Sequence, residues 1–216
     1  TGTTTTTTAT NVIKVGATGP LTGGAAIYGQ AVKNGAEIAV EEINAKGGIQ
    51  FDFNMQDDAH DAEKAVNAYN TLKDWGMQIM MGTVTSTPAE ATAAEAYADR
   101  VFFLTPSASS TDVIKGKDNI FQMCFSDPGQ GTASATYIKN HNLGEKIAII
   151  YKNDEDYSTG IYNKFMAEAS SNGLNVVYVG TFDDSSATDF SVLLAECETA
   201  GADVVFLPIY YQPADL

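Results

Sequence analysis

The chain has 216 residues, of which 44% are hydrophobic and 18% charged, so it is long enough for one large domain or two small ones. A formal net charge of −15 at pH 7 argues against a nucleic-acid-binding protein, because such proteins need a basic surface. No apolar run approaches the roughly 18–20 residues that a membrane-spanning helix needs.

Residues 1–11 are polar, low in complexity and dominated by threonine. A segment of this kind cannot bury an apolar core, so we predict a disordered tether. A tether at this place is typical of a mature extracytoplasmic protein without its signal peptide, either in the periplasm or lipid-anchored on the outer face of the cell membrane. Residues introduced by cloning are the alternative origin of part of it.

Predicted strands and helices alternate from residue 12 onwards. The first helix, 28–46, carries one broad apolar face that includes Ile38 and Ile43. The strand at 51–56 alternates apolar and polar residues, which indicates an edge or half-covered position in a sheet. Asp61 is placed to cap the helix that follows, because its carboxylate can accept from free N–H groups of the first turn. The other elements predicted in this part are strands at 12–17, 78–81, 101–104 and 120–125 and helices at 62–75 and 89–100.

Residues 126–131 contain Pro and Gly, interrupt the alternation, and are the predicted crossover between two lobes. Because strands that alternate with helices form parallel sheets, we predict an α/β fold with two doubly wound lobes. The N-terminal lobe is predicted at 12–125 and the second lobe at 126–216, where it is incomplete at its C-terminal end. The elements predicted in the second part are helices at 132–141, 158–171 and 187–200 and strands at 146–151, 175–181 and 203–207.

Four loops after predicted strands are rich in hydroxyl side chains, at 18–24, 83–87, 105–111 and 157–160. Doubly wound sheets place their ligands at the carboxyl ends of strands, where these loops lie. No Ser is combined with a His and an acid at a recognisable spacing, and no Gly-x-Ser-x-Gly motif is present. We therefore predict that the hydroxyls bind a ligand through hydrogen bonds and that the protein is not an enzyme.

Ser86 lies at a predicted helix N-terminus, where free N–H groups favour an anion such as a carboxylate. The alternative is that Ser86 and Ser109 are ordinary helix caps. His60 and His141 are both expected to be solvated surface residues.

Aromatic residues stand at loop positions in both predicted lobes. Tyr28 begins the first helix, Tyr157 follows the first strand of the second lobe, and Tyr210 and Tyr211 follow its third strand. These rings are predicted to form aromatic walls between the lobes, and tyrosines that merely flank solvent are the alternative. The acidic run 154–156 is expected to be solvated, with weak cation binding as a minor alternative.

The two cysteines, Cys124 and Cys197, belong to no Cys-x-x-Cys pair, and the sequence has no histidine cluster. We therefore predict neither a metal site nor a cofactor. Two buried thiols are expected, and a disulfide is the alternative, since sequence alone does not bring the two sulfur atoms together.

Several motifs, in this order and spacing, resemble the type I periplasmic binding proteins. The resemblance is closest to the branched-chain amino-acid receptors of ABC importers and covers nearly all of 12–216. The motifs that carry it are Gly19-Pro-Leu-Thr-Gly23, Glu42-Ile-Asn-Ala-Lys-Gly-Gly48, Asp57-Asp-Ala-His-Asp61, Thr105-Pro-Ser-Ala-Ser109 and Tyr157-Ser-Thr-Gly160.

The resemblance implies that an amino acid or related carboxylate is clamped between the two lobes. Ser86, with Thr87 beside it, would bind the ligand carboxylate through hydroxyl and backbone N–H groups. The segment after strand 4 would contact the ligand ammonium and carboxylate. Tyrosines would line the side-chain pocket. The ligand-binding residues implied in this way are Tyr28, Ser86, Thr87, Ser107, Ala108, Ser109, Tyr157 and Tyr210, with Ser109 standing where a Thr is usual.

The resemblance also implies a membrane permease as a partner. In the family an acid of the second lobe pairs with the ligand ammonium and lies beyond residue 216, and the chain continues for on the order of a hundred residues. We therefore expect a missing C-terminal segment, on the same or a separate chain, that covers apolar surface left by an incomplete second lobe.

Two alternative functions are compatible with the predicted fold. One is a ligand-sensing module in a signalling system. The other is an NAD(P)-dependent Rossmann enzyme, since glycines at 16–23 follow the first strand and Asp57 or Asp58 is placed to meet a ribose. Pro20 interrupts the glycine-rich turn, and the helix starts late, which argues against the enzyme.

Overall fold

The structure, a computed structural model, describes residues 12–186 and 188–216. The predicted tether, 1–11, lies outside these residues. In the described part of the chain, no helix is long and apolar enough to cross a membrane. Strands and helices alternate throughout, which confirms the predicted α/β fold class.

The first sheet and its helices comprise β1 (Val12–Gly19), α1 (Ala26–Ala45), β2 (Gln50–Asp57), α2 (Ala62–Trp75), β3 (Ile79–Met81), α3 (Ser86–Ala98), β4 (Phe102–Thr105), a 3-10 turn (Thr111–Val113) and β5 (Ile120–Gln122). All five strands are parallel, in the order β2-β1-β3-β4-β5. The order reverses between β1 and β3, so a ligand crevice is expected at their carboxyl ends. β2 lies at the edge, as its alternating sequence predicts.

One face of the first sheet is covered by α2 and α3. Its core contains the fully buried side chains of Tyr69, Leu72 and Phe103. The start of α2 follows the prediction, because the Asp61 side chain accepts a hydrogen bond from the N–H of Lys64 at 2.8 Å. This cap satisfies one of the free N–H groups at the start of the helix.

The opposite face of the first sheet is only partly covered. α1 lies on β2, and Gly29 is its only buried residue, whereas Ile38 and Ile43 are 58% and 43% exposed. On the same sheet, the rings of Phe102 and Phe121 stack at 5.3 Å and remain half exposed. The apolar face predicted for α1 is therefore largely exposed in the described residues, because no described element packs against it.

The second sheet and its helices comprise α4 (Asp127–His141), β6 (Lys146–Lys152), α5 (Asp156–Asn172), β7 (Asn175–Phe182), α6 (Ser191–Thr199), β8 (Val204–Phe206) and α7 (Tyr211–Ala214). Its strands are parallel in the order β7-β6-β8. The central strand β6 is buried on both sides: Ile147 and Ile149 face α4 and α5, whereas Ala148 and Ile150 pack on the α6 side. This two-sided burial is typical of a parallel sheet between helices.

Four helices begin earlier than the sequence predicts, and one begins later. The early ones, α1, α3, α4 and α5, start at Ala26, Ser86, Asp127 and Asp156, and α6 starts late, at Ser191. The predicted crossover, 126–131, is consequently the cap and opening turns of α4. The Ser126 side chain caps this helix by accepting from an N–H of its first turn, and proline is favoured in that turn, so a Pro/Gly segment opens the helix instead of breaking it.

Close packing of α4 on α5 depends on Gly131. A Cβ atom at this position would lie 2.6 Å from the carbonyl oxygen of Ile161 and 2.8 Å from the nitrogen of Phe165, both backbone atoms of α5. We expect Gly131→Ala to lower the free energy of unfolding by about 1–3 kcal/mol, because the two helices must move apart. Urea unfolding measures this loss.

Gly35→Ala is the matched control, since Gly35 lies within α1 and a Cβ there would meet no atom within 4 Å. This change should stabilise the protein by about 0.5–1 kcal/mol, because alanine loses less backbone entropy in a helix. Equal effects of the two substitutions would contradict the packing argument.

Candidate functional site

The first turns of three helices meet between the two sheets. Thr87, in the first turn of α3, donates a 2.7 Å hydrogen bond from its hydroxyl to the carboxylate of Asp156 in the first turn of α5. At the start of α4, the N–H of Asp127 donates to the carbonyl oxygen of Ser109 at 2.9 Å. The carboxyl-end loops of both sheets therefore converge on one cleft.

Many of the predicted ligand-binding hydroxyls instead hold the loops in place. The Thr83 hydroxyl lies 2.8 Å from that of Thr18, and Thr105 donates to the Thr83 carbonyl at 2.7 Å. Ser107 donates to the carbonyl of Val84 at 2.7 Å. These bonds join the loops after β1, β3 and β4, and they fix the backbone that presents the start of α3 to the cleft.

The predicted carboxylate-binding residue Ser86 is buried at the start of α3, and its hydroxyl accepts a hydrogen bond from the N–H of Ser110 at 3.2 Å. The alternative that Ser86 and Ser109 are ordinary caps is wrong: Thr85 occupies the cap position of α3, and Ser110 caps the 3-10 turn. Ala108 is also buried, and its carbonyl accepts from the side-chain amide of Gln122 at 2.7 Å.

Three of the predicted tyrosines form one cluster, which we call the tyrosine cluster: Tyr28, Tyr157 and Tyr210. The rings of Tyr157 and Tyr210 stack at 4.7 Å, and Tyr28 lies 5.4 Å from Tyr210. Tyr28 also accepts from the N–H of Tyr211 at 3.1 Å. These contacts join the two sheets, so the alternative of solvent-flanking rings is wrong for the cluster. Tyr157 lies in the first turn of α5 and not in a loop.

The hydroxyl of Tyr210 connects the tyrosine cluster to the start of α3. Burial and the negative charge of Glu155 raise the pKa of Tyr210 well above its usual value, and the backbone N–H of Ser86 offsets part of this rise. The pKa of Tyr210 therefore depends both on Glu155 and on the N–H of Ser86, the group to which the family resemblance assigns a ligand carboxylate.

His60 and Glu155 are site residues that the sequence analysis missed. His60 is in the cleft, with Nδ1 2.9 Å from the Thr85 hydroxyl, Nε2 3.4 Å from Glu155 Oε1, and its ring edge-on to Tyr210 at 5.4 Å. Glu155 is 3% exposed, so the acidic run 154–156 is not uniformly solvated. One feature of the sequence did indicate a role in the site. Glu155 lies between a predicted strand and the helix after it, at the edge of the sheet where ligands bind.

Two buried carboxylates in the cleft, Glu155 and Asp127, have no hydrogen bond of ordinary geometry from the described residues, although His60 Nε2 lies 3.4 Å from Glu155 Oε1. Burial raises the pKa of Glu155 to about 7, and the charge of Lys152 opposes part of this change. Burial also raises the pKa of Asp127 to about 6, and the nearby carboxylate of Glu90 adds to the effect. Both carboxylates can accept hydrogen bonds from a ligand that carries N–H or O–H groups into the cleft.

The remaining candidates lie away from the cleft or have structural roles. His141 is exposed, as predicted. Cys197 is buried and Cys124 is half-buried, and both are free, so the alternative of a disulfide is wrong. Within the described ranges, no group of three or more His, Cys, Asp or Glu side chains is arranged to hold a metal ion.

Asp57, one of the two acids considered for a dinucleotide site, is engaged within its own part of the fold. Asp57 accepts from the N–H of Leu21 at 2.7 Å and from the hydroxyl of Thr22 at 2.6 Å, both in the loop after β1. Its carboxylate therefore shapes the loop in which a phosphate would have to bind. Nothing in the geometry supports the Rossmann alternative.

Comparison with known proteins identifies the family. Residues 12–212 match the family model described as periplasmic binding protein. The chain is 31% identical over 208 residues to Leu/Ile/Val-binding protein homolog 3 of Brucella melitensis and 32% identical over 209 residues to the Leu/Ile/Val-binding protein BraC3 of Rhizobium johnstonii. Each alignment covers 94% of this chain and 56% of the relative, so the chain spans about half the length of these relatives.

The fold agrees with a solved structure of the same kind. The substrate-binding protein LivJ of a branched-chain amino acid transporter from Streptococcus pneumoniae, in complex with isoleucine, superimposes with a TM-score of 0.85 at 29% identity. The match covers 93% of this chain and 58% of LivJ. The chain belongs to the periplasmic binding protein family, with the type I fold that its sequence motifs predict.

Proposed function

We propose that this chain is the ligand-binding part of an extracytoplasmic solute-binding protein that delivers an amino acid, branched-chain or otherwise hydrophobic, to the membrane permease of an ABC importer. The names of its relatives support this class of ligand. The observation that carries the proposal is the meeting of the α3 N-terminus, a buried acid and the tyrosine cluster in one cleft between two sheets. Ligand capture, not catalysis, is the expected activity.

The ligand carboxylate is proposed to bind at the start of α3. Ser86 and Thr87 lie in the first turn, where backbone N–H groups have no partner within the helix and the helix dipole favours negative charge. The Ser86 hydroxyl accepts from the N–H of Ser110 and can donate its own proton to the ligand carboxylate.

The ligand ammonium is proposed to bind Asp127. This side chain is 1% exposed with both oxygens unpaired, and its backbone N–H donates to Ser109, in the predicted ligand-binding segment. An ammonium group supplies the charge and the donors that a buried carboxylate lacks. The acid that the family resemblance implies beyond residue 216 would be a second partner.

Ligand capture is proposed to proceed by closure of two lobes, 12–125 and 126–216. A ligand that contacts both lobes binds the closed form better than the open form and so shifts the equilibrium towards it. The hydrogen bond between Thr87 and Asp156 joins the two proposed lobes, as contacts that form on closure do. The permease would then recognise the closed form.

We also propose that a further segment, on the same or a separate chain, covers the apolar surfaces of α1 and of Phe102 and Phe121. These surfaces are exposed in the described residues, and exposed apolar surface of this kind promotes association. A monodisperse, cooperatively unfolding monomer of residues 1–216 alone would count against the proposal.

Thermal unfolding with each of the twenty amino acids and simple carboxylates tests the proposed function in the full-length protein. A ligand at a hundredfold excess over its Kd should stabilise the protein by about 2.7 kcal/mol. Absence of a shift with every amino acid would refute amino-acid capture.

Ser86→Ala should weaken binding of the identified amino acid by roughly 10- to 100-fold, because a hydrogen bond to a charged group is lost. Isothermal titration calorimetry gives the Kd. Ser170→Ala is the control, since Ser170 is exposed near the end of α5, far along the helix from the cleft. Unchanged affinity in Ser86→Ala would rule out this carboxylate site.

A further inference from the structure

A second set of polar side chains lies next to the tyrosine cluster, in a cavity of about 620 Å³ between the two sheets. Tyr210 is the member of the cluster that lines this cavity. Its other polar walls come from both sheets and include His60, Lys64, Lys152, Glu155 and Asp184. The cavity therefore adjoins the place where the side chain of a captured amino acid would lie.

Glu155 is the buried acid of this cavity. Glu155 is 3% exposed, and its Oε1 lies 3.4 Å from His60 Nε2. Neither carboxylate oxygen has a hydrogen bond of ordinary geometry from the described residues. Glu155 occupies the cap position of α5, yet its side chain does not cap the helix. A buried carboxylate without donors is unfavourable, so a donor on the ligand would gain a strong hydrogen bond here.

The neighbouring basic groups are already engaged. Lys152 lies 2.9 Å from Asp154 Oδ1 and 3.0 Å from Asp184 Oδ1. His60 uses Nδ1 to contact the Thr85 hydroxyl, and burial lowers its pKa, which favours the neutral ring. Two carboxylates therefore balance the positive charge of Lys152, and the aromatic ring of Tyr210 adds a surface that attracts cations.

We propose that Glu155 and Tyr210 form a distal subsite for a cationic N–H donor at the end of the ligand side chain, so that the preferred ligands are basic amino acids. This inference rests on the proposed capture of an amino acid and replaces the hydrophobic side chain of that ligand by a basic one. A purely aliphatic side chain would leave the Glu155 carboxylate buried without a close hydrogen-bond donor. Sites with unsatisfied polar groups reject ligands that lack the matching donor.

Lysine and norleucine form a matched ligand pair for the test, because they share the same straight carbon chain and differ in the terminal ammonium. Calorimetry on the full-length protein at pH 8 should give a Kd for lysine at least about tenfold lower than for norleucine. Equal Kd values, or tighter binding of norleucine, would overturn the subsite whatever the behaviour of any variant.

Glu155→Gln should raise the Kd of lysine by about 10- to 100-fold and leave that of norleucine unchanged or lower. Glu198→Gln is the matched control, since it removes an exposed acid near the end of α6; the Kd of lysine should change less than about threefold. A lysine Kd that Glu155→Gln leaves unchanged, in a protein that still binds leucine or norleucine, would refute the subsite and leave the proposed function standing. Failure of every amino acid to bind would refute both.

Discussion

Replacing Asp127 by asparagine should weaken amino-acid binding about 30-fold or more, the largest loss we expect from a single substitution in the cleft. Truncating one partner of a buried, hydrogen-bonded charge pair typically costs about 2–5 kcal/mol, because the other charge is left buried without its partner. Here the partner is the ligand ammonium. Calorimetric titration of the full-length protein with the amino acid identified by the thermal screen measures this loss.

The substitution should not unfold the protein. Burial already raises the pKa of Asp127 to about 6, so removing its charge relieves an unfavourable interaction at neutral pH. The melting temperature of the unliganded variant should equal or exceed that of the wild type. A drop in melting temperature would show that Asp127 has a structural role.

Asp112→Asn is the control for this experiment. Asp112 and Asp127 both line a small cavity of about 150 Å³. The side chain of Asp112 is 61% exposed and lies 3.3 Å from that of Lys115. Exposed ion pairs contribute little, so binding should be unaffected. Equal weakening in both variants would indicate a general effect of negative charge and would eliminate Asp127 as the specific partner of the ammonium.

Stability should fall as the pH rises from 5 to 8, which is the second large effect. Burial raises the pKa of Glu155 from an ordinary 4.5 to about 7 and that of Asp58 from 3.8 to about 7. Between these values the native state binds more protons than the unfolded state, so unfolding releases protons and becomes easier as the pH rises. Each pKa unit corresponds to about 1.4 kcal/mol, so Glu155 alone contributes roughly 3 kcal/mol.

His60 acts in the opposite direction. Burial lowers its pKa, so the unfolded state binds the extra proton and stability falls as the pH drops below 6.5. We expect the effect of the carboxylates to exceed that of His60. The pKa values of Glu155, Asp58 and Asp127 are all raised by burial, so all three groups lower the free energy of unfolding as the pH rises through this range. Urea unfolding at pH 5.5, 6.5 and 8 measures the slope.

Glu155→Gln should flatten the pH dependence by removing the contribution of this group, whereas Asp154→Asn should leave the slope nearly unchanged. Constant or increasing stability from pH 5.5 to 8 in the wild type would contradict the assigned burial of these carboxylates. The comparison does not need a ligand, so it tests the geometry of the cleft independently of the proposed function.

Local sequence signals predicted some features of the fold and missed others. The Asp61 cap was predictable because a cap depends on a residue and the turn beside it. The edge position of β2 followed from its alternating pattern. The helix starts were misplaced because Pro, Ser and Gly favour loops and first helical turns alike, as at 126–131.

The sequence by itself determined the alternation of strands and helices, the parallel sheets and the family, because hydrophobic periodicity and ordered motifs are properties of neighbouring residues. Only the tertiary structure decided the environment of polar side chains. His60 and Glu155 read as solvated residues in the sequence, yet they lie 3.4 Å apart in the cleft. The two residues are far apart in the chain, so their burial depends on how two separate sheets meet, and no local pattern encodes that distance.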